Sequence, residues 1–181
     1  MNYTHLTKLT IAAGALLLVA SCGEKKQAQN EAIQTEVTED EVHSILAYEY
    51  TDSLMQGSHR VVYTITSEAD ESLPLVVDED GTKYNDNRIC LEIVKDGSIL
   101  FRRYFTKADF AGSLGSDFQQ HGLMDGLRFN RAEEGKLYFN ACVSLPDSDM
   151  SCPFILTVGP DGSYTIAPDT TVPDEDEMPS A

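Results

Sequence analysis

RICLEIVKDGSILFRRYF, residues 88–105, decides the fold of this chain. Its two halves are rich in branched and aromatic side chains and flank a single Asp96-Gly97 pair. Such a pair supplies the positive φ angles that a two-residue hairpin turn requires. Taken as that turn, it sets Val94 opposite Ile99, Glu92 opposite Phe101 and Cys90 opposite Arg103. One face then carries Ile89, Leu91, Ile93, Leu100 and Tyr104. The other carries Cys90, Val94, Ile99, Phe101 and Phe105, with Glu92 and Arg103 as diagonal neighbours able to pair. Both faces are largely apolar, which predicts a hairpin placed centrally in a sheet.

Working outward, Thr106 and Asp109 have capping-box spacing, and Phe105 and Phe110 hold the two positions of a hydrophobic staple. A short helix is expected to begin at Lys107 and end near Gly112 or Gly115. A second helical turn over Asp117–His121 would stop at Gly122. Strands resume at Leu127–Ala132 and Lys136–Leu145, joined through Glu133-Glu134-Gly135. Leu137, Phe139, Ala141, Val143 and Leu145 alternate and define a core face. Past the turn Pro146–Asp149, Phe154, Leu156 and Val158 alternate within Cys152–Val158, and a last strand spans Ser163–Ala167. Arg60–Thr66 and Ala47–Tyr50 complete the set. Further turn pairs stand at Asp80-Gly81, Asp125-Gly126 and Asp161-Gly162. The chain therefore reads as mainly β: an antiparallel meander of about eight strands forming a sandwich or partly open barrel, with one or two short helices near 107–121. It lacks the βαβ alternation of a Rossmann-type domain.

The N-terminus carries a different message. Leu9 to Ala20 is apolar apart from Thr10 and Gly14, a run of about 12 residues against the roughly 20 that span a bilayer as a helix. It suits the h-region of a signal peptide, and Val19-Ala20-Ser21-Cys22 closes it as a bacterial lipobox. Cys22 is then the lipidated first residue of the mature protein, and multiple acyl chains make membrane attachment stable. The expected organisation is a lipoprotein signal peptide at 1–21, lipidated Cys22 and a tether at 22–41, one β-rich domain at 42–167, and an acidic tail at 168–181. The tether (GEKKQAQNEAIQTEVTEDE after the cysteine) is polar and lacks aromatics, with an r.m.s. reach of roughly 25 Å as a flexible coil. Thr38 with Glu41 suggests a short helix running into Val42–Leu46.

Charge narrows the partners. The formal charge is −17, and removing residues 1–21 takes away Lys8 and no acid, giving −18. Such a chain is unsuited to nucleic acid and to electrostatic docking on anionic lipid. Lipid on Cys22 is left as the membrane attachment, with an envelope protein or glycan as the expected partner and the oligomeric state open. Against this acidity, Arg102, Arg103, Lys107, Arg128 and Arg131 form a candidate anion or partner patch, although pairing with nearby carboxylates explains them more simply.

Chemical signatures are sparse. His43, His59 and His121 lack metal-ligand or Cys–His spacing. There is no Gly-x-Ser-x-Gly elbow, Walker loop or dinucleotide fingerprint, so neither a catalytic residue nor a cofactor is expected. Asp78-Glu79-Asp80-Gly81 and Asn85-Asp86-Asn87 are oxygen-rich but do not match EF-hand spacing, and solvated turns account for them. An exported chain favours a bridge between Cys142 and Cys152. The core-matching register opposes it, placing Phe139 opposite Leu156, Cys142 opposite Pro153 and Cys152 opposite Val143. Bridged and separate thiols both remain open.

YNDNRICLEIVKDGSILFRRYFTKADF, followed by LYFNACVSLPDSDMSCPFILTVGPDGSYTI, resembles a family of small Bacteroidetes-type lipoproteins of unknown function. The resemblance covers about residues 84–167, through motifs that are structural rather than chemical. It implies no catalytic or binding residue. In many such lipoproteins acidic residues directly after the lipidated cysteine signal surface export. Gly23-Glu24-Lys25-Lys26 matches this poorly, so an outer-membrane lipoprotein facing the periplasm is expected, with surface exposure as the alternative. The function expected is a non-catalytic binding or accessory module. A carrier of a small apolar ligand in a barrel-like pocket comes second and an enzyme third.

Overall fold

The computed structural model describes residues 41–171. The signal peptide, Cys22, the tether up to residue 40 and residues 172–181 lie outside the described residues. Eleven strands and two short helices follow in order: β1 Val42–Ser44, β2 Tyr48–Gln56, β3 His59–Ala69, β4 Val76–Val77, β5 Lys83–Asn85, β6 Asn87–Lys95, β7 Ser98–Phe105, a 3₁₀ helix Lys107–Ser113, α1 Ser116–His121, β8 Leu123–Glu133, β9 Lys136–Ser144, β10 Ser151–Val158 and β11 Tyr164–Pro168. They form two four-stranded antiparallel sheets, β2-β3-β6-β7 and β11-β10-β9-β8, and a small sheet β1-β5-β4. The fold is a sandwich-like mainly-β domain.

The decisive hairpin forms with the expected turn: Asp96 and Gly97 take φ values of 48° and 83°, and Val94 pairs with Ile99. Beyond that pair the register shifts by one residue, so that Ile93 faces Phe101, Glu92 faces Arg102 and Leu91 faces Arg103. The bulge at Leu100 replaces the two-faced hairpin expected from a regular ladder with a one-faced one. Phe101 and Phe105 join Ile89, Leu91 and Ile93 on the core side at 7% and 0% exposure, while Ile99 and Tyr104 turn outward at 57% and 54%. Burying two phenylalanine rings outweighs the lost ladder bond. Of the hairpin's two strands, β6 is internal to its sheet and β7 forms an edge.

The helical junction forms where it was expected. The Asp109 carboxylate accepts the Thr106 N–H at 2.9 Å, and the Phe105 and Phe110 rings lie 6.5 Å apart. α1 ends at Gly122, whose N–H bonds the Phe118 carbonyl at 3.0 Å. In the second sheet, β9 and β10 adopt the core-matching register, with Phe139 opposite Leu156 and Cys142 opposite Pro153. Leu137, Phe139, Ala141 and Val143 are all buried.

The interior between the large sheets is filled by rings. Tyr63 stacks on Phe129 at 4.9 Å and meets Phe139 edge-on at 5.7 Å, and Phe110 meets Phe154 at 5.0 Å. These pairs join β3 and the 3₁₀ helix to the opposite sheet.

Two further expectations change. Val42–Ser44 is a strand rather than part of a helix, because parallel pairing with Lys83–Asn85 satisfies its backbone. Asp125-Gly126 is a bulge inside β8 rather than a turn: Met124 pairs with Val143 and Gly126 with Cys142, and Asp125 is left over. β4 and β5 were not foreseen, and with β1 they cover one end of the sandwich through a satellite cluster of Val76, Tyr84 and Leu123.

Candidate functional site

Two recesses gather the polar side chains of the domain. The larger is a cleft of about 680 Å³ where the small sheet meets the β8–β9 end. β1 and the segment after it contribute His43, Ser44 and Ile45; Thr82 and Tyr84 come from around β5; Asp125 and Ser144 come from β8 and β9. The turn Leu145–Ser148 closes it.

Backbone irregularity places both carboxylates. Asp125 is the extra residue of the β8 bulge, a device that re-aims a side chain out of the regular pleat. Its Oδ2 accepts the Ser144 hydroxyl at 3.0 Å and the Cys142 thiol at 3.3 Å. Asp147 sits in the β9–β10 turn at a φ of 50°. Its Oδ2 accepts the Tyr84 phenol at 2.6 Å, a bond that together with burial pushes the phenol up to about 12. The Cys142 thiol is likewise pushed up to about 11, chiefly by burial, which suppresses its thiolate.

Serine, histidine and aspartate thus share one cleft, but not as a nucleophilic triad. In a triad the imidazole stands between hydroxyl and carboxylate. Here Ser144 donates directly to Asp125, while the His43 ring lies 5.5 Å from that of Tyr84. Among the described residues the lining holds Asp125 and Asp147 but neither lysine nor arginine. Its chemistry is that of hydrogen-bond acceptors and hydroxyls bordered by Ile45, Leu123, Leu145 and Pro146.

The second recess is a groove of 330 Å³ with walls of Leu73, Pro74, Leu75, Val76, Ala108, Ala111 and Leu114. Asp86, the residue between β5 and β6, and Lys107, the first of the 3₁₀ helix, also line it. Asp86 Oδ1 accepts the backbone N–H groups of Asn87 and Met124, both at 2.8 Å. Asn87 in turn donates its amide to the Met124 carbonyl at 2.9 Å. Lys107 Nζ donates to the Gly122 carbonyl at 2.7 Å and stands 4.0 Å from Asp86 Oδ2. Burial raises the Asp86 carboxyl and lowers the Lys107 ammonium, since each charge loses its water.

The five cations singled out in the sequence are spread over the domain. Arg102 pairs with Glu92 across the β6–β7 ladder. Arg103 bonds Asp109 at 2.8 Å and lies 4.9 Å over the Tyr164 ring. Lys107 turns into the groove, Arg128 is exposed on β8, and Arg131 stacks 4.1 Å over Tyr138 and faces Glu133 at 3.4 Å. β7 and β8 belong to different sheets.

Cys90, Cys142 and Cys152 are free thiols. His59 bonds Asp96 and His121 bonds the Val77 carbonyl, each at 2.5 Å. Among the described residues no three His, Cys, Asp or Glu side chains converge to hold a metal. Asp78 caps its own turn, accepting the Asp80 and Thr82 N–H groups at 3.0 and 2.8 Å. Sequence reasoning missed Tyr84–Asp147, Asp125–Ser144 and the depth of Asp86. Asp125-Gly126 and Asn85-Asp86-Asn87 look like solvated turns until the strands around them are placed.

No curated protein matches the chain. The family model described as a domain of unknown function, DUF4738, matches residues 25–166 of the 181. That span includes the hairpin, both recesses and most of β11, so the chain belongs to the DUF4738 family, a domain of unknown function.

Proposed function

We propose that this chain is a lipid-anchored binding module of the bacterial cell envelope, held through Cys22 on the periplasmic side of the outer membrane, and that it engages a hydroxyl-rich glycan through the cleft between His43 and Ser148. The observation that carries this reading is the cleft's lining. Two carboxylates, the hydroxyls of Ser44, Thr82, Ser144 and Ser148, and neither lysine nor arginine among the described residues of the lining suit a neutral ligand rich in donors and disfavour an anionic one. Asp125 and Asp147 are pre-oriented by Ser144 and Tyr84, which leaves the second oxygen of each to accept from a ligand. The ring-filled core speaks against the carrier alternative, in which the ligand would lie between the sheets. The direct Ser144–Asp125 bond speaks for binding rather than hydrolysis. Affinity capture from envelope membranes tests the reading, with the parent compared to an Asp125→Ala/Asp147→Ala variant. Glycan recovered by the parent and lost by the variant supports it. Equal recovery by both, or none by either, removes its basis.

A further inference from the structure

The second sheet turns one face to the core and the other outward. Its register places Tyr138, Asn140, Ile155, Thr157, Thr165 and Ala167 on the outward side, with Arg128 opposite Asn140 and Arg131 opposite Tyr138. Asp125 stands at one end of this face and Glu133 at the other, and no outward position of the four strands between them holds a carboxylate. In a chain of 30 acidic and 13 basic residues, that gap leaves a locally cationic surface. Arg128 is exposed and forms no ion pair among the described residues, and the carboxylate beside Arg131 is the exposed Glu133 at 3.4 Å.

The chain leaves the sheet beside this face. The Asp169 N–H donates to the Pro153 carbonyl at 3.0 Å, and the Asp169 carboxylate accepts the Thr171 hydroxyl at 2.6 Å and N–H at 3.0 Å. Those two bonds hold the Asp169 carboxyl below the usual carboxylate range, and the Arg131 charge adds to the effect. Beyond Thr171, Asp174-Glu175-Asp176-Glu177 puts four consecutive carboxylates on a short stretch of chain. The six residues from Thr171 to Glu177 reach about 20 Å when extended. Arg128 lies three strand spacings from Ala167, about 14 Å across the sheet. The acidic run is therefore long enough to reach Arg128, and Arg131 already acts on Asp169. A free acidic partner would approach against the charge of the whole domain, whereas a tethered segment is present at an effective concentration on the order of mM.

We propose that Asp174–Glu177 folds back across the outward face of the second sheet and pairs with Arg128 and Arg131, covering that face with the chain's own acidic segment. The inference does not depend on the glycan reading of the cleft. It is tested in the ¹⁵N-labelled full chain by comparing the parent with an Asp174→Asn/Glu175→Gln/Asp176→Asn/Glu177→Gln variant. Neutralising the segment should shift the amides of Asn140, Ile155 and Thr165 and the Nε–H signals of Arg128 and Arg131. Thr51 and Thr64, paired on the outward face of the first sheet, should not move. Raising NaCl from about 0.05 M to about 0.5 M shortens the Debye length from roughly 14 Å to roughly 4 Å and should carry the parent's signals toward those of the variant. In an Arg128→Ala/Arg131→Ala background, neutralising the segment should change nothing on this face. The proposal is overturned if neutralisation leaves these signals in place or if its effect survives the arginine substitutions. It is equally overturned if tenfold dilution reproduces the salt effect, which would assign the acidic segment to a second copy.

Discussion

Replacing Asp86 by alanine tests the joint on which the arrangement of sheets and recesses depends. One carboxylate oxygen holds the N–H groups of Asn87 and Met124 at 2.8 Å each, tying the start of β6 to the start of β8. A hydrogen bond to a charged group contributes about 1.5–3 kcal/mol, and a buried donor left without its acceptor bears the full desolvation penalty. Asp86→Ala also leaves Lys107 half-buried beside a vacated counter-charge. Together these give a loss of roughly 3–5 kcal/mol, a large share of the 5–15 kcal/mol typical of a domain. With a urea slope of about 2 kcal/mol/M, the midpoint falls by roughly 2 M. Asparagine also removes the counter-charge but keeps an oxygen for both donors, so Asp86→Asn should cost less than Asp86→Ala, by about 1–3 kcal/mol. The two variants also separate with pH. Burial raises the Asp86 carboxyl above its unfolded value, so its contribution is complete below the unfolded pKa and is lost as pH rises through the folded one. Asparagine does not titrate, and its deficit against the parent should shrink as pH rises above the ordinary carboxyl value of about 4. Urea denaturation of the full chain, followed by circular dichroism as pH is raised, reads both effects. Equal losses for Ala and Asn, or a deficit that widens with pH, would contradict this role of the Asp86 carboxylate.

Three further outcomes are expected. A Cβ on Gly122 would stand 2.5 Å from the Phe118 carbonyl oxygen and 2.8 Å from a Val143 methyl. Gly122→Ala should therefore cost about 1–3 kcal/mol, whereas Gly112→Ala, which meets open space, should leave the thermal midpoint nearly unchanged. Under denaturing conditions without reductant, Cys90, Cys142 and Cys152 should all react with Ellman's reagent; recovery of a single thiol would mean that two are bridged. In the folded protein Cys142 should react slowest, at a rate still climbing above about pH 9, because its thiol is pushed up to about 11. Cys22→Ala should move the protein from the membrane to the soluble fraction, and a variant that stays with membranes contradicts lipid anchoring.

What was legible in the sequence was local. The Thr106–Asp109 box with its Phe105–Phe110 staple, and the alternation that fixes Phe139 against Leu156, need only near neighbours and one buried face. The bulge at Leu100 was hidden because a regular ladder offers equally apolar faces, and only the opposite sheet decides which rings to bury. β1 resembles a helix start for a related reason: its partner strand lies about forty residues away, beyond any local pattern. The site shared this limit. Asp125 and Asp147 owe their positions to a bulge and a turn, and Asp86 is buried by β8, far along the chain. Composition reported the acidity and the scarcity of catalytic motifs, but not which carboxylates would meet.

The reading proposed for the His43–Ser148 cleft is that it binds a neutral, hydroxyl-rich ligand. Calorimetric titration of envelope glycan fragments into the parent protein and the Asp125→Ala/Asp147→Ala variant tests it most directly. Saturable binding by the parent is expected, weakened at least about tenfold in the variant, with uncharged fragments preferred over anionic ones. Binding that is unchanged in the variant, or that favours anionic fragments, would contradict it.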